Sequence, residues 1–215
     1  MCQPASFIIT KDQVFWGTKS DSHEEIIKEH GLHADGVRGA NIVRVEIVPV
    51  GGDFRLPLDE WKYKLDQDEK PKWYDAAESE ARVRETLPQW LAAKIILPDQ
   101  TIEEFEGNVV ACYGTIREMR GSAQVRVMRG SAQVGKMRES AQVREMWGSA
   151  QVGEMRDSAQ VREMRGSAQV GVMRDSATIQ AYTTIDPSIL KSAGAVIIDR
   201  TGKYPVCHVG KDEVA

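Results

Sequence analysis

Apolar and polar residues alternate along this chain with two different periods. From residue 112 to residue 183 a nine-residue unit recurs, x-Ser-Ala-Gln-Val-x-x-Met-Arg. Its copies begin at Cys112, Gly121, Gly130, Glu139, Gly148, Asp157, Gly166 and Asp175. Ala and Val stand two apart, which puts both side chains on one side of a strand and Gln on the other. Met lies three residues beyond Val, so it points inward only if the strand bends between them.

The composition of the unit favours strands over a helix. Gly and Ser recur at the junctions, and Gly inside a helix costs about 1 kcal/mol relative to Ala. One strand and one corner cannot bury an apolar side alone, but units stacked about 4.8 Å apart build a continuous core. The repeats therefore predict a β-solenoid, and their degenerate first and last copies are typical of solenoid ends.

The sixth position of the unit indicates how many repeats make one coil. It reads Arg126, Gly135, Arg144, Gly153, Arg162 and Gly171 in succession. We interpret this as a coil of two repeats, one face stacking Gly on Gly and the other stacking the arginines beside Glu139, Asp157 and Asp175, which offset their repulsion. Recent duplication of an 18-residue unit would give the same alternation without a structural cause. Four such coils would span about 19 Å.

A second arginine series occupies the ninth position. It comprises Arg120, Arg129, Arg138, Arg156, Arg165 and Arg174, with Trp147 interrupting it. This series is either a stripe for a phosphate-rich or acidic partner or a solvated corner. We favour the corner, with the arginines paired to Glu118, Glu145, Glu154 and Glu163. The candidate surface residues of the solenoid are thus Arg126, Arg144, Arg162 and Trp147.

Outside the repeats the pattern predicts an α+β domain over residues 1–97 and a β-hairpin cap over 184–215, with the solenoid at 98–183. In the first domain, a hairpin, two further strands and two or three helices are expected. Ser22 and Glu25 form the sequence of a capping box at the first helix. In the cap, the β-rich runs AGAVIID and KYPVCHVG flank Arg-Thr-Gly.

Composition and cysteine usage place the chain among soluble globular proteins. It has 215 residues, 41% hydrophobic and 28% charged, with no apolar run long enough to cross a membrane. The start of the chain lacks the basic and apolar regions of a secretory signal. Three cysteines without CxxC spacing fit a reducing cytosol. We therefore expect a cytoplasmic protein with no membrane partner.

The net charge of −4 is unevenly distributed. Residues 1–111 carry 13 basic and 21 acidic side chains, residues 112–183 carry 11 and 7, and the last 32 residues carry four of each. The basic segment interleaves Arg with Glu and Asp, whereas nucleic-acid binding needs a concentrated basic patch. The sequence thus argues against nucleic acid as the partner.

Cys2 and His23 are the candidate catalytic residues. Removal of Met1 would leave Cys2 with a free α-amino group beside its thiol, the arrangement of N-terminal nucleophile enzymes; the same letters also fit the start of a strand. The residue types of a catalytic triad occur side by side at Asp21, Ser22 and His23. Adjacent side chains on a helix do not face each other, so these three cannot form a triad. His23 alone is a candidate partner for Cys2.

An aromatic and carboxylate cluster is the candidate ligand site of the first domain. It comprises Trp61, Asp66, Gln67, Asp68, Trp73 and Tyr74, which together can stack on and hydrogen-bond a base or a sugar. The alternative is a core that uses Trp for buried area, with the aspartates forming turns. No phosphate loop, dinucleotide fingerprint or metal-ligand spacing occurs, so we predict no metal and no cofactor.

Five segments of the sequence carry a resemblance when they are taken together: MCQPASF, SDSHEEII, VRVEIVP, LDQDEKPKWYD and the GSAQV nonapeptides. In this combination, over nearly the whole chain, the sequence resembles a group of uncharacterised proteins of tailed bacteriophages and prophages. Those proteins join a short N-terminal domain to nonapeptide repeats. The resemblance implies an accessory protein acting inside the host, including an anti-defence role such as sequestering a host protein or a signalling nucleotide. It implies no reaction.

Three functions follow from these patterns. The first is a binding protein whose solenoid is a rigid platform, or an arm for homo-oligomer formation, and whose N-terminal domain recognises a host protein or a small ligand. The second is an enzyme that uses Cys2. The third is a structural virion component, since β-solenoids serve as fibres and spikes. We favour the first, because the solenoid is short and shows no trimer stripe.

Overall fold

A computed structural model describes residues 5–32 and 41–211. The chain divides into two compact units, Met1–Ala93 and Lys94–Ala215. The second unit contains both the repeats and the C-terminal hairpin, so the cap continues the solenoid. The boundary falls just before Ile95 because that residue already pairs within the solenoid.

The first unit is built on a four-stranded antiparallel sheet in the order β2-β1-β3-β4. Its strands are β1 (Ser6–Thr10), β2 (Val14–Phe15), β3 (Ile42–Pro49) and β4 (Trp61–Leu65), and its helices are α1 (His23–Glu29) and α2 (Ala76–Lys94). Two 3-10 turns, Val50–Gly52 and Leu58–Glu60, connect β3 to β4. This is the small α+β domain that the sequence predicts.

The two helices cover opposite faces of this sheet. On one face Ile26 of α1 packs with Ile8 and Ile42. On the other, Trp90 of α2 meets Trp61 edge to face, with ring centres 6.3 Å apart. Alternation along the strands sends successive side chains to the two faces, so each face has its own core.

One predicted local feature of α1 is wrong. Ser22 is the N-cap residue, but its side chain makes no cap hydrogen bond. Its hydroxyl donates instead to Glu24 Oε2 at 2.9 Å. A nearby carboxylate therefore takes the hydroxyl that the capping box would have used.

The second unit is a β-solenoid of about six turns. Its strands form a five-stranded sheet, β14-β12-β10-β8-β6, and an eight-stranded sheet, β17-β16-β15-β13-β11-β9-β7-β5. The strands are β5 (Ile95–Ile96), β6 (Thr101–Phe105), β7 (Asn108–Cys112), β8 (Thr115–Met119), β9 (Gln124–Met128), β10 (Gln133–Met137), β11 (Gln142–Met146), β12 (Gln151–Met155), β13 (Gln160–Met164), β14 (Gln169–Met173), β15 (Thr178–Ala181), β16 (Val196–Asp199) and β17 (Val206–Val209).

The register confirms two repeats per coil. Gln133 pairs with Gln151 on one sheet, and Gln142 pairs with Gln160 on the other, so each strand stacks on the strand two repeats away. The solenoid has more turns than the repeats alone suggest, because β5–β7 and β16 join the stack without the nonapeptide words. In β6, Ile102 and Phe105 take the places of Val and Met.

The interior follows the predicted pattern. Ala, Val and Met of the repeats are all buried, and together they form one continuous core. Both apolar positions of each strand, Val and Met, therefore point inward, as Val134 and Met137 do in β10. The position before Met, such as Lys136, faces out.

The C-terminal hairpin closes one end of the eight-stranded sheet. β16 continues the parallel stack on β15, and β17 then returns antiparallel to β16. The other sheet ends at a 3-10 turn, Pro187–Ile189, beside which Leu190 bridges to Met173. The predicted hairpin at the end of the solenoid is thus present.

Candidate binding surface

On the five-stranded sheet, glutamates at the seventh position of the repeat neutralise the ninth-position arginine of the same repeat and the one in the next coil. Glu118 lies 3.0 Å from Arg120 and 2.9 Å from Arg138, one coil away. Glu154 lies 2.7 Å from Arg156 and 3.3 Å from Arg174 in the same way. The hydrogen bond from the guanidinium lowers the pKa of each glutamate below its ordinary value. This half of the series is the solvated, paired corner that the sequence favours.

The other half of the ninth-position series forms a stack of arginine and aromatic rings. The guanidinium of Arg165 lies 5.3 Å from the ring centre of Trp147 and 4.4 Å from that of Tyr182. Arg165 also pairs with Glu163 at 3.1 Å, while Trp147 Nε1 donates to Glu145. Trp147 is 39% exposed, so it is a surface residue whose polar group is already engaged.

The sixth-position arginines differ in their contacts from both halves of the ninth-position series. Arg126, Arg144 and Arg162 stand on β9, β11 and β13, which pair directly in this order. Their backbones are therefore one strand spacing, about 4.8 Å, apart. Within residues 5–32 and 41–211, no ion pair joins any of the three to a carboxylate; Arg162 donates to the amide oxygen of Gln142 at 2.8 Å. We call these three residues the arginine column.

Carboxylates expected beside the arginine column have another role. Asp157 Oδ2 accepts the backbone N–H of Glu139 at 2.9 Å, and Asp175 Oδ2 accepts that of Asp157 at 3.1 Å. Glu139 accepts the N–H of Gly121 in the same manner. These first-position residues hold the corners of successive coils together. In the described residues these carboxylates form no ion pair with the arginine column.

The opposite sheet presents an uncharged strip at the same position. Gly135, Gly153 and Gly171 stack there, and a Cβ on Gly153 would lie 2.6 Å from the carbonyl oxygen of Gly135. Exposed glutamines flank this strip, for example Gln133 and Gln151. The two sheets thus differ at the sixth position of the repeat, which carries a column of guanidinium groups on one outer face and a neutral glycine strip on the other.

In the first unit, the structure separates the members of the aromatic and carboxylate cluster. Trp61 lies in the core, 1% exposed, and its Nε1 donates to the Leu56 carbonyl. Asp66 lies five residues along the chain and 3.3 Å from His23 Nδ1, on the face that α1 covers. Trp61 is therefore a core residue, as the alternative interpretation of the cluster has it, and it cannot stack on a ligand beside Asp66.

The remaining members support the fold or lie at its surface. Gln67 accepts the backbone N–H of Arg44 at 2.8 Å. The Tyr74 hydroxyl lies 3.3 Å from that of Tyr63, whose pKa burial raises above its ordinary value. Trp73 is half-buried and Asp68 is exposed. Gln67 and Tyr74 therefore make contacts within the fold, while a ligand site at the remaining members stays a prediction.

Of the two catalytic candidates, the structure describes only His23. His23 is 1% exposed; its Nε2 lies 3.1 Å from the Val45 carbonyl oxygen, and its Nδ1 faces Asp66. Cys2 lies outside the described residues. Cys112 is buried, which raises the pKa of its thiol to about 12 and makes it a poor nucleophile.

Sequence reasoning missed the buried charge of this sheet. Glu46 is 2% exposed on β3, and its carboxylate lies 3.9 Å from Lys64 Nζ. Glu46 sits among Val and Ile in the strand VRVEIVP, and a charged residue inside such a run is the signal that would have marked it.

No family model, curated protein or solved structure matches the chain. The helices at residues 5–32 and 41–211 include none that is long and apolar enough to span a membrane. Over the same ranges, no three His, Cys, Asp or Glu side chains are grouped so as to hold a metal ion.

Proposed function

We propose that this chain is a binding protein that presents the arginine column to an acidic surface of a partner protein. The observation that carries the proposal is the contrast within one solenoid. Ninth-position arginines on the five-stranded side are held by glutamates, whereas Arg126, Arg144 and Arg162 have no carboxylate partner in the described structure. Stacked like charges repel each other, and an acidic partner would relieve that repulsion.

A protein carboxylate surface suits the column better than a nucleic acid does. Three guanidinium groups at about 4.8 Å intervals cover about 10 Å, which is room for only a few contacts. Nucleic-acid affinity comes from many phosphate contacts, so a surface with room for only a few supplies little of it. The chain also carries a net charge of −4, which opposes a long polyanion. Guanidinium and carboxylate form strong bidentate pairs even in small number.

The biological setting follows from the resemblance to phage and prophage proteins. On that basis the chain acts as a phage-encoded accessory protein in the host cytoplasm, and the partner is a host protein whose sequestration would serve anti-defence. Recognition of a small ligand or nucleotide by the N-terminal domain stays a prediction, with Trp73, Tyr74 and Asp68 as its accessible residues.

Site-specific photo-crosslinking in infected cells tests the proposal. A photoreactive amino acid replaces Arg144 in one strain and Gln151, on the neutral face, in another. We expect position 144 to capture one host protein through a peptide rich in Asp and Glu, and position 151 to capture none. Capture of nucleic acid, equal capture at both positions, or recovery of the chain in purified virions would contradict it.

A further inference from the structure

Among residues 5–32 and 41–211, no strand pairs with the outer edge of the last strand of the eight-stranded sheet. β17 pairs with β16 on one side only, with Val209 opposite Val196 and Ile197 opposite His208. Gly210 N–H donates to the Ala195 carbonyl at 2.9 Å, which sets the phase of the antiparallel ladder. Since hydrogen-bonded and non-bonded pairs alternate, the N–H and C=O groups of Cys207 and Val209 point away from β16.

The side chains around this edge are apolar and exposed. Val206 is 52% and Val209 56% exposed, and Tyr204, just before the strand, is 72% exposed. On the outer face, Cys207 and Val209 lie beside Ile198 and Val196. Farther into the sheet, the column that ends at Val196 contains Thr178 and Gln160. The outer face thus changes from polar to apolar where the sheet ends.

β17 is only four residues long, but it lacks the charged residues and the bulge that protect many edge strands. Such strands are usually interrupted by charged residues, Pro or a bulge, because an exposed apolar edge recruits another strand. β17 reads Val-Cys-His-Val, with no Lys, Arg, Asp or Glu. Pro205 precedes the strand and leaves both outward N–H groups in place.

We propose that a second copy of this chain pairs its β17 antiparallel to this edge. The register that uses every outward group puts Cys207 opposite Val209 of the partner subunit and Val209 opposite Cys207 of the partner subunit. Each such pair exchanges two hydrogen bonds. The interface is isologous, so it closes after two copies.

Charge and strand length favour self-pairing. Two copies of β17 place no like charges against each other, whereas interior strands such as β11 would oppose arginines. A head-to-tail contact would use the far edge of one of the sheets, where β5 is only two residues long and β6 carries Glu103 and Glu104. Self-pairing at β17 therefore uses a longer edge than β5 and a less charged edge than β6.

A cavity at the end of β17 fits this register. It has a volume of about 380 Å³ and is lined by Pro187, Leu190, His208, Val209, Gly210 and Lys211. In the proposed pairing, Val206 of the partner subunit lies opposite Gly210 and so stands beside this cavity. The symmetry of the dimer provides two such sites.

Cysteine cross-linking tests the register on the full chain with Cys2→Ser. The variant Val209→Cys places a thiol opposite Cys207 of the other copy, and the Cα separation of such a pair, about 5.5 Å, suits a disulfide. Oxidation should convert most of this variant to a covalent dimer on a non-reducing gel. Val206→Cys is the matched control, because its opposite residue is Gly210. Equal cross-linking of the two variants would overturn the register.

Native mass spectrometry tests the dimer itself, on protein purified without any partner. The wild-type chain should be dimeric, and Cys207→Lys with Val209→Lys should be monomeric with an unchanged far-UV circular dichroism spectrum. Val209→Pro removes one outward N–H and should also lose the dimer. A monomeric wild-type chain overturns the proposal. So does a dimer that persists in both variants, which would place the contact elsewhere, for example on the glycine strip.

Discussion

From the second repeat onward, the first residue of each unit adopts a left-handed backbone. φ is between 53° and 69° at Gly121, Gly130, Gly148 and Gly166 and at Glu139, Asp157 and Asp175. Gly takes this conformation readily, while other residues incur a cost of order 1–3 kcal/mol. At the acidic positions, a hydrogen bond to the preceding coil offsets part of that cost. The left-handed backbone at this position is thus accommodated in two ways, by Gly, which adopts it readily, and by Asp or Glu, whose side chain forms a compensating hydrogen bond.

Asp157 separates these two contributions. Asp157→Ala keeps the left-handed strain and removes the acceptor for the Glu139 N–H, so unfolding should become easier by about 1–2 kcal/mol. Asp157→Asn retains an acceptor and tolerates the backbone, so its effect should be within about 0.5 kcal/mol. Urea unfolding measures both. Equal destabilisation by the two variants would show that the side-chain oxygen contributes nothing.

Glu118 and Glu154 give the solenoid a pH dependence. Their pKa values are lowered from 4.5, chiefly by hydrogen bonds from Arg120 and Arg156. A carboxylate whose pKa is depressed in the folded state adds stability above its unfolded pKa and loses it as the pH falls through the folded value. Stability should therefore decline below about pH 4.5.

The double variant Glu118→Gln with Glu154→Gln is the test. Its thermal midpoint should lie below that of the wild type at pH 7, and the difference should shrink as the pH falls below about 4.5. Glu60→Gln with Glu85→Gln removes two exposed charges that form no ion pair in the described residues, and so serves as the control. A difference that stays constant with pH would show that these ion pairs do not act through ionisation.

At the scale of strands, the nine-residue period predicts most of what the structure contains. Ala and Val lie inside because they are two apart on a strand, whereas Met, three residues beyond Val, lies inside only because the strand bends between them. β6 and β7 lie within the predicted solenoid at 98–183, and they keep the inward spacing, as in Ile102 and Phe105, without the repeated sequence. Only β5, which is two residues long, lies outside the predicted range. Strand alternation also explains why Trp61 and Asp66, five apart, could not form one site.

Deletions distinguish a structural coil of two repeats from mere duplication. Removing residues 139–156 takes out one whole coil and leaves Arg162 stacked on Arg126. Removing only 139–147 moves Gly153 into the arginine column and Arg162 into the glycine strip, where a Cβ meets a carbonyl at 2.6 Å. The shorter deletion should therefore melt at a lower temperature than the longer one, by differential scanning calorimetry. Equal midpoints would show that the two faces are interchangeable.

For the whole molecule, the sequence predicts the order of the parts better than their contacts. The α+β unit, the solenoid and the terminal hairpin all follow from local periodicity. Ion pairs within one strand, such as Arg120 with Glu118, also follow from the sequence. Contacts between coils do not, because strands two repeats apart become neighbours only when the coil closes. Glu118 reaches Arg138 and Asp157 reaches the Glu139 backbone by this route. That the arginine column has no carboxylate partner in the described residues is therefore seen only in the structure.

A titration tests whether the arginine column is the surface that binds a partner. A fluorescent poly-glutamate peptide serves as the carboxylate probe, and single-stranded DNA of equal charge serves as the comparison, both followed by fluorescence anisotropy. We expect Arg126→Gln with Arg144→Gln and Arg162→Gln to lose most of the binding to the peptide. The matched variant Arg138→Gln with Arg156→Gln and Arg174→Gln should retain it. Equal loss in the two triple variants, or tighter binding of DNA than of the peptide, would contradict the arginine column as a protein-binding surface.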